Sequence, residues 1–153
     1  MARGDARVLV LGSVPSQRSI ADHQYYAHPQ NAFWRIMGEL VGATGDYSQR
    51  CAALVEHRIA LWDVLAASVR PGSMDADIDL ESAQVNDFEL FFRSHPGVGR
   101  LCFNGRKAAE MFARFVRLDA VPEETVVLPS TSPAFAAMTF DNKLARWREG
   151  LAL

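Results

Sequence analysis

Five places along the chain carry side chains that can do chemistry. The densest is Tyr25-Tyr26-Ala27-His28-Pro29-Gln30-Asn31-Ala32-Phe33-Trp34, which gathers four aromatics, a histidine and a carboxamide around a proline. Phe33 and Trp34 read as core side chains of a following helix, and Asn31 as a cap at its start. Tyr25, Tyr26 and His28 are left over from that account. An aromatic rim beside an amide is what a flat heterocycle needs: stacking on its π-face and hydrogen bonding at its edge. Gly12-Ser13-Val14-Pro15-Ser16 serves equally as a strand-ending turn or as part of such a site. Pro129-Ser130-Thr131-Ser132-Pro133 holds consecutive hydroxyls between prolines, which suits a plain loop and also suits phosphate oxygens. Asp63 follows the Leu61-Trp62 pair, where a carboxylate must be solvated, paired or reading a ligand. Asn104, just before Gly105, either turns the chain into a helix or faces the same ligand.

These segments need a scaffold that gathers them. Arg7-Val8-Leu9-Val10-Leu11-Gly12 is a short apolar run ended by glycine, the pattern of a strand buried on both faces of a parallel sheet. Similar runs lie at Ile59-Ala60-Leu61-Trp62, Arg100-Leu101-Cys102-Phe103 and Thr125-Val126-Val127-Leu128. Helical periods separate them: Phe33, Ile36, Met37, Leu40 and Val41 share one face, Phe88, Phe91 and Phe92 another, and Ala108, Met111, Phe112 and Phe115 a third. A last helix is expected from about Asn142 to Leu151, and Pro71 to Ala83 reads as a loop. This alternation predicts an α/β fold of three layers, α/β/α, around a small four-stranded, mainly parallel central sheet. With 153 residues, no repeat and no low-complexity tract, one domain over 1–153 is expected. Open α/β sheets place ligand sites at the carboxyl ends of their strands. Every candidate segment except the aromatic one directly follows one of the four runs.

Composition removes whole classes of function. The longest stretch without a charge, Thr125 to Phe140, is broken by two prolines and several hydroxyls, so no membrane-spanning segment is read. Met1-Ala2-Arg3-Gly4-Asp5 lacks the apolar run of a signal peptide, and a cytoplasmic location is expected. Cys51 and Cys102, with His23, His28, His57 and His95 scattered, show no metal-ligand spacing, so no metal is expected. Neither G-x-G-x-x-G nor a Walker loop is present, and no cofactor is expected. A net charge of −2 argues at first against a nucleic-acid partner. Six of the acids, Asp75, Asp77, Asp79, Glu81, Asp87 and Glu89, however, lie together with no Lys or Arg between Arg70 and Arg93. The rest of the chain sets 16 basic against 12 acidic side chains, a net +4 that allows a locally positive face without establishing one.

In order along the chain, these segments resemble the uracil-DNA glycosylase superfamily over nearly the whole length, within it the hypoxanthine-DNA (deoxyinosine) glycosylase branch. Ala27 to Trp34 is similar to the segment that bacterial mismatch-specific uracil glycosylases carry after their first motif. Gly12 to Ser16 falls where that first motif lies, and Leu128 to Pro133 where the second, DNA-intercalating motif lies. The departures are informative. Mismatch-specific enzymes carry a catalytic Asn two residues after the glycine, where this chain has Val14; the best-known uracil enzymes begin the second motif with His, where this chain has Leu128. The hypoxanthine branch is similar in lacking both and is thought to use the Asn of its His-Pro-x-Asn segment, here Asn31.

The resemblance implies a monofunctional hydrolase that cuts the N-glycosidic bond of a flipped, deaminated base, chiefly hypoxanthine, in base excision repair. Asn31 is then the catalytic residue, orienting water, and Tyr26 matches the family's stacking aromatic. Asp63 and Asn104 are expected at the base edge, and the backbone N–H groups of Ser13 and Val14 against charge on the leaving base. Ser16, Ser130, Thr131 and Ser132 are expected to hold flanking phosphates, His28 to support the site, and Phe135 or the Thr131–Ala134 turn to fill the gap left by the base. The expected partner is nucleoid DNA containing a deaminated base, bound by a monomer. Three rivals stay open: a uracil or G:U/G:T mismatch glycosylase, a non-catalytic DNA-damage binding module, and a flavodoxin-like nucleotide-binding domain.

Overall fold

A computed structural model of the chain describes residues 1–67, 84–119 and 121–153. Four strands form the central sheet: β1 (Val8–Gly12), β2 (Ile59–Asp63), β5 (Arg100–Asn104) and β6 (Glu124–Leu128). Their order is β2-β1-β5-β6, with every neighbouring pair parallel. The two short strands β3 (Leu65–Ala67) and β4 (Gln84–Val85) pair antiparallel beside it. The helices are α1 (Gln17–Asp22), α2 (Phe33–Val41), α3 (Tyr47–Glu56), α4 (Phe88–Ser94), α5 (Arg106–Phe115) and α6 (Phe140–Gly150).

Side chains of a strand alternate between the faces of its sheet, so near-continuous apolar runs must bury both. Val10, Ile59, Leu61 and Cys102 point to one side and pack with Phe33, Ile36, Met37 and Leu54 of α2 and α3 and with Trp147 of α6. Leu9, Leu11, Ala60, Leu101 and Phe103 point to the other and pack with Phe88, Ala108, Met111 and Phe112 of α4 and α5. The three layers read from the sequence are therefore present.

Some expected details differ. Thr125–Leu128 does form a strand, but at the sheet edge, where Val127 is 48% exposed, so this run is not buried on both faces. Helix α6 starts two residues before the expected Asn142 because the Thr139 hydroxyl caps it, accepting from Asn142 N at 3.2 Å. Helix α3 was not legible from apolar period, although Asp46 and Gln49 form a reciprocal capping box at its start. The loop expected over Pro71–Ala83, with four of the six clustered acids, lies outside the described residues.

Candidate active site

Parallel register brings the strand ends together: Gly12 pairs with Asp63, and Asn104 with Leu128. Above these ends opens a cavity of about 850 Å³. Its wall comes from Gly12–Ser16 after β1, from α1, from the Tyr25–Asn31 segment, from Asp63 and Asn104, and from Ser130–Phe135 after β6. All twelve residues singled out from the sequence, from Ser13 to Phe135, line it.

Asn31 is placed by its own turn. Its backbone N–H donates to the His28 carbonyl at 3.0 Å, closing a tight turn with Pro29 in the position that proline pre-sets. His28 Nδ1 accepts from Gln30 N at 3.1 Å, so this exposed histidine braces the helix entrance. The Asn31 Oδ1 accepts from Phe33 N at 2.9 Å and so caps α2 from one residue upstream of Ala32, which has no side-chain cap of its own. Carbonyl oxygens have two lone pairs. One fixes the carboxamide to the helix, and the half-buried group still faces the cavity.

Tyr26 has a left-handed backbone, φ 54°, which costs a non-glycine residue roughly 1–3 kcal/mol and persists where surroundings impose it. One ring face stacks on Phe33 with centroids 4.1 Å apart. Its hydroxyl and the Asp63 carboxylate both lie close above Gly12: a β-carbon there would stand 3.5 Å from the Tyr26 hydroxyl and 2.5 Å from Asp63 Oδ1. Glycine at this strand end therefore makes room for the acid. Asp63 is 8% exposed, and its backbone carbonyl accepts from Asn86 Nδ2 at 2.7 Å. Burial pushes the neighbouring Tyr25 phenol well above its ordinary value, and the Asp63 charge adds to the effect.

The loop after β6 is clamped to the rest. Asn104 Nδ2 donates to Thr131 Oγ1 at 2.9 Å and its Oδ1 accepts from Thr131 N at 2.9 Å. Thr131 O in turn accepts from Ala32 N at 3.0 Å, joining the loop to the start of α2. Gly105 has φ 92°, and a β-carbon there would stand 3.0 Å from Ser130 Cβ, so the close approach requires glycine. This geometry bears on two expected roles. Thr131 is 1% exposed with its hydroxyl engaged by Asn104, which leaves flanking phosphates to its neighbours. Asn104 clamps the loop, spending one of its two N–H donors and one of its two carbonyl lone pairs on Thr131. Ser130 and Ser132 each accept from a backbone N–H two residues on, at 3.1 and 3.2 Å, and remain half-buried on the wall. Leu128 is buried in the core below.

Sequence reading missed the α1 wall, with Ser19, Ile20, His23 and Gln24. The available signal was Ser16, which caps α1 by accepting from Ser19 N at 3.0 Å.

A parallel, three-layer α/β domain with a polar, aromatic-rimmed cavity at its strand ends carries its candidate ligand site where open α/β sheets place theirs, and the stacked Tyr26 beside a carboxamide and a buried acid suits a flat heterocycle. A sequence profile described as the Uracil DNA glycosylase superfamily matches residues 2–151. The chain belongs to that superfamily. It is 41% identical over 133 residues to a hypoxanthine DNA glycosylase of Methanosarcina acetivorans and 38% identical over 133 residues to one of Methanosarcina barkeri. Each match covers 85% of this chain and 81% of the relative. The fold is also similar, with a TM-score of 0.81 and 36% identity, to a Methanosarcina acetivorans protein solved in solution by NMR and described as a uracil DNA glycosylase; the match covers 98% of this chain and 91% of that one. Among the described residues no helix is long and apolar enough to cross a membrane.

Proposed function

We propose that the chain is a monofunctional DNA glycosylase that hydrolyses the N-glycosidic bond of a flipped hypoxanthine, leaving an abasic site. The observation that carries this reading is the convergence of Asn31, Tyr26 and Asp63 on one cavity, in a chain whose relatives are named for hypoxanthine. Inside a duplex the sugar carbon cannot be reached, so the nucleotide must leave the stack. Tyr26 lies against the flipped ring. Ionised Asp63 accepts from the N1–H of hypoxanthine, where adenine offers only a lone pair, so adenine is rejected.

As the bond breaks, positive charge builds on the sugar and negative charge on the departing base. The Ser13 and Val14 backbone N–H groups meet the second, at the turn leaving β1. Asn31 orients the attacking water through the second lone pair of its carbonyl; an amide does not take the proton as a carboxylate would, so the proton the water loses ends on the departing base anion, which leaves as neutral hypoxanthine. Ser16, Ser130 and Ser132 hold the flanking phosphates, and Phe135 stands at the rim.

Uracil release is the second reading, suggested by the uracil-glycosylase name given to the similar NMR structure. The test is single-turnover incubation with duplexes holding inosine, uracil or a G:T mispair, abasic sites being cut by hot alkali. Fastest release from inosine is expected. Dominant uracil release would reverse the substrate ranking, and tight binding with no release from any duplex would leave a damage-binding module.

A further inference from the structure

A flipped base leaves a hole in the stack, and the duplex closes again unless something fills it; minor-groove proteins use apolar wedges for this purpose. Single exposed apolar side chains are ordinary, so exposure alone carries nothing. Location separates them here. Of the large apolar side chains exposed among the described residues, two line the cavity: Phe135, 37% exposed, and Ile20, 55% exposed. Phe135 leans on its own structure, with Lys143 Nζ 2.6 Å from its carbonyl and 5.0 Å from its ring centroid. Neither side chain belongs to an apolar cluster of the core, but Phe135 has this tie to Lys143 and Ile20 is the more exposed of the two.

The helix that carries Ile20 is built to hold it outward. No residue of α1 is buried. Polar bonds fasten it instead: the Ser16 cap at its start, His23 in the left-handed region at its end, and Ala27 N donating to Ser19 Oγ at 3.2 Å. An Arg18–Asp22 ion pair of 2.7 Å runs along its exposed side. Isoleucine is stiff at χ1 and loses little rotamer entropy when it inserts. In the sheet β5 lies between β1, which leads into α1, and β6, which leads into Phe135, so the two apolar groups follow strands two spacings or ~10 Å apart.

We infer that Ile20 is a positioning residue that enters the base stack and holds open the gap left by the flipped nucleotide. The inference rests on the glycosylase reading and deepens it: the occupant of this side chain is the duplex stack, not the excised base. Ile20→Ala should slow single-turnover hypoxanthine release from paired duplex about tenfold more than release from a single strand, and the duplex loss should be rescued by Ile20→Leu. Equal loss on both substrates, or no loss on the duplex, overturns it. A second arm needs no catalysis: 2-aminopurine beside a stable abasic analogue in duplex DNA should brighten on binding the wild type and fail to brighten with Ile20→Ala. Equal brightening overturns the wedge. If the wild type releases no hypoxanthine from either substrate while the fluorescence arm behaves as expected, the failure belongs to the glycosylase reading alone.

Discussion

Replacing Gly12 by Ala tests the placement of Asp63 without touching the acid. The new β-carbon would stand 2.5 Å from Asp63 Oδ1, against the 3.4 Å at which ordinary contact begins, so the carboxylate must retreat by 0.9 Å. A hydrogen bond from base N1–H to a carboxylate is charge-assisted and contributes about 1.5–3 kcal/mol, and a shift of this size removes most of it. At 1.36 kcal/mol per decade the expected loss is about 10- to 150-fold in the rate of hypoxanthine release. Stability should fall by about 0–2.5 kcal/mol, because alanine in a strand gains about 0.5–1 kcal/mol over glycine while tight packing costs about 1–3. The assay is single-turnover release from an inosine duplex, with thermal unfolding as the control for folding. In an Asp63→Ala background the same substitution should have almost no further effect. A full effect in that background, or none in the wild type, would refute the reasoning.

Asp63→Asn should erode discrimination between hypoxanthine and adenine, read as the ratio of release rates from matched duplexes; an unchanged ratio leaves Asp63 structural. Asn104→Ala removes two hydrogen bonds and strands buried groups of Thr131, so unfolding should become easier by ~2–3 kcal/mol, a fall in Tm of roughly 4–12 °C. An unaltered Tm would show that the clamp is not needed for the loop. Burial pushes the Cys102 thiol up to about 12, and the thiolate is the reactive form, so a thiol reagent at pH 8 should leave Cys102 unmodified until urea is added. Rapid modification of Cys102 in the native protein would contradict its burial.

The sheet was legible because strands buried on two faces leave no alternative to continuous apolar runs, as at Leu9-Val10-Leu11 and Leu101-Cys102-Phe103. The cavity was legible for a related reason: polar residues directly after such runs must lie at one rim of a parallel sheet. What escaped was held by polar bonds rather than apolar period. Helix α1 buries nothing, and only the Ser16 cap announces it. The Asn104–Thr131 clamp joins residues 27 positions apart, and no local pattern distinguishes a carboxamide that grips a loop from one that reads a base. Asn31 shows the two readings coinciding, since it caps α2 and lines the cavity at once.

That double placement makes Asn31 the most direct test. Asn31→Ser keeps a capping oxygen at the start of α2 but removes the carboxamide. In single turnover on an inosine duplex, release should fall by at least ~10²-fold, while affinity for the duplex, followed by fluorescence anisotropy, should stay near that of the wild type. Undiminished release with the cap intact would contradict the account, because water would then be delivered to the sugar by some other group.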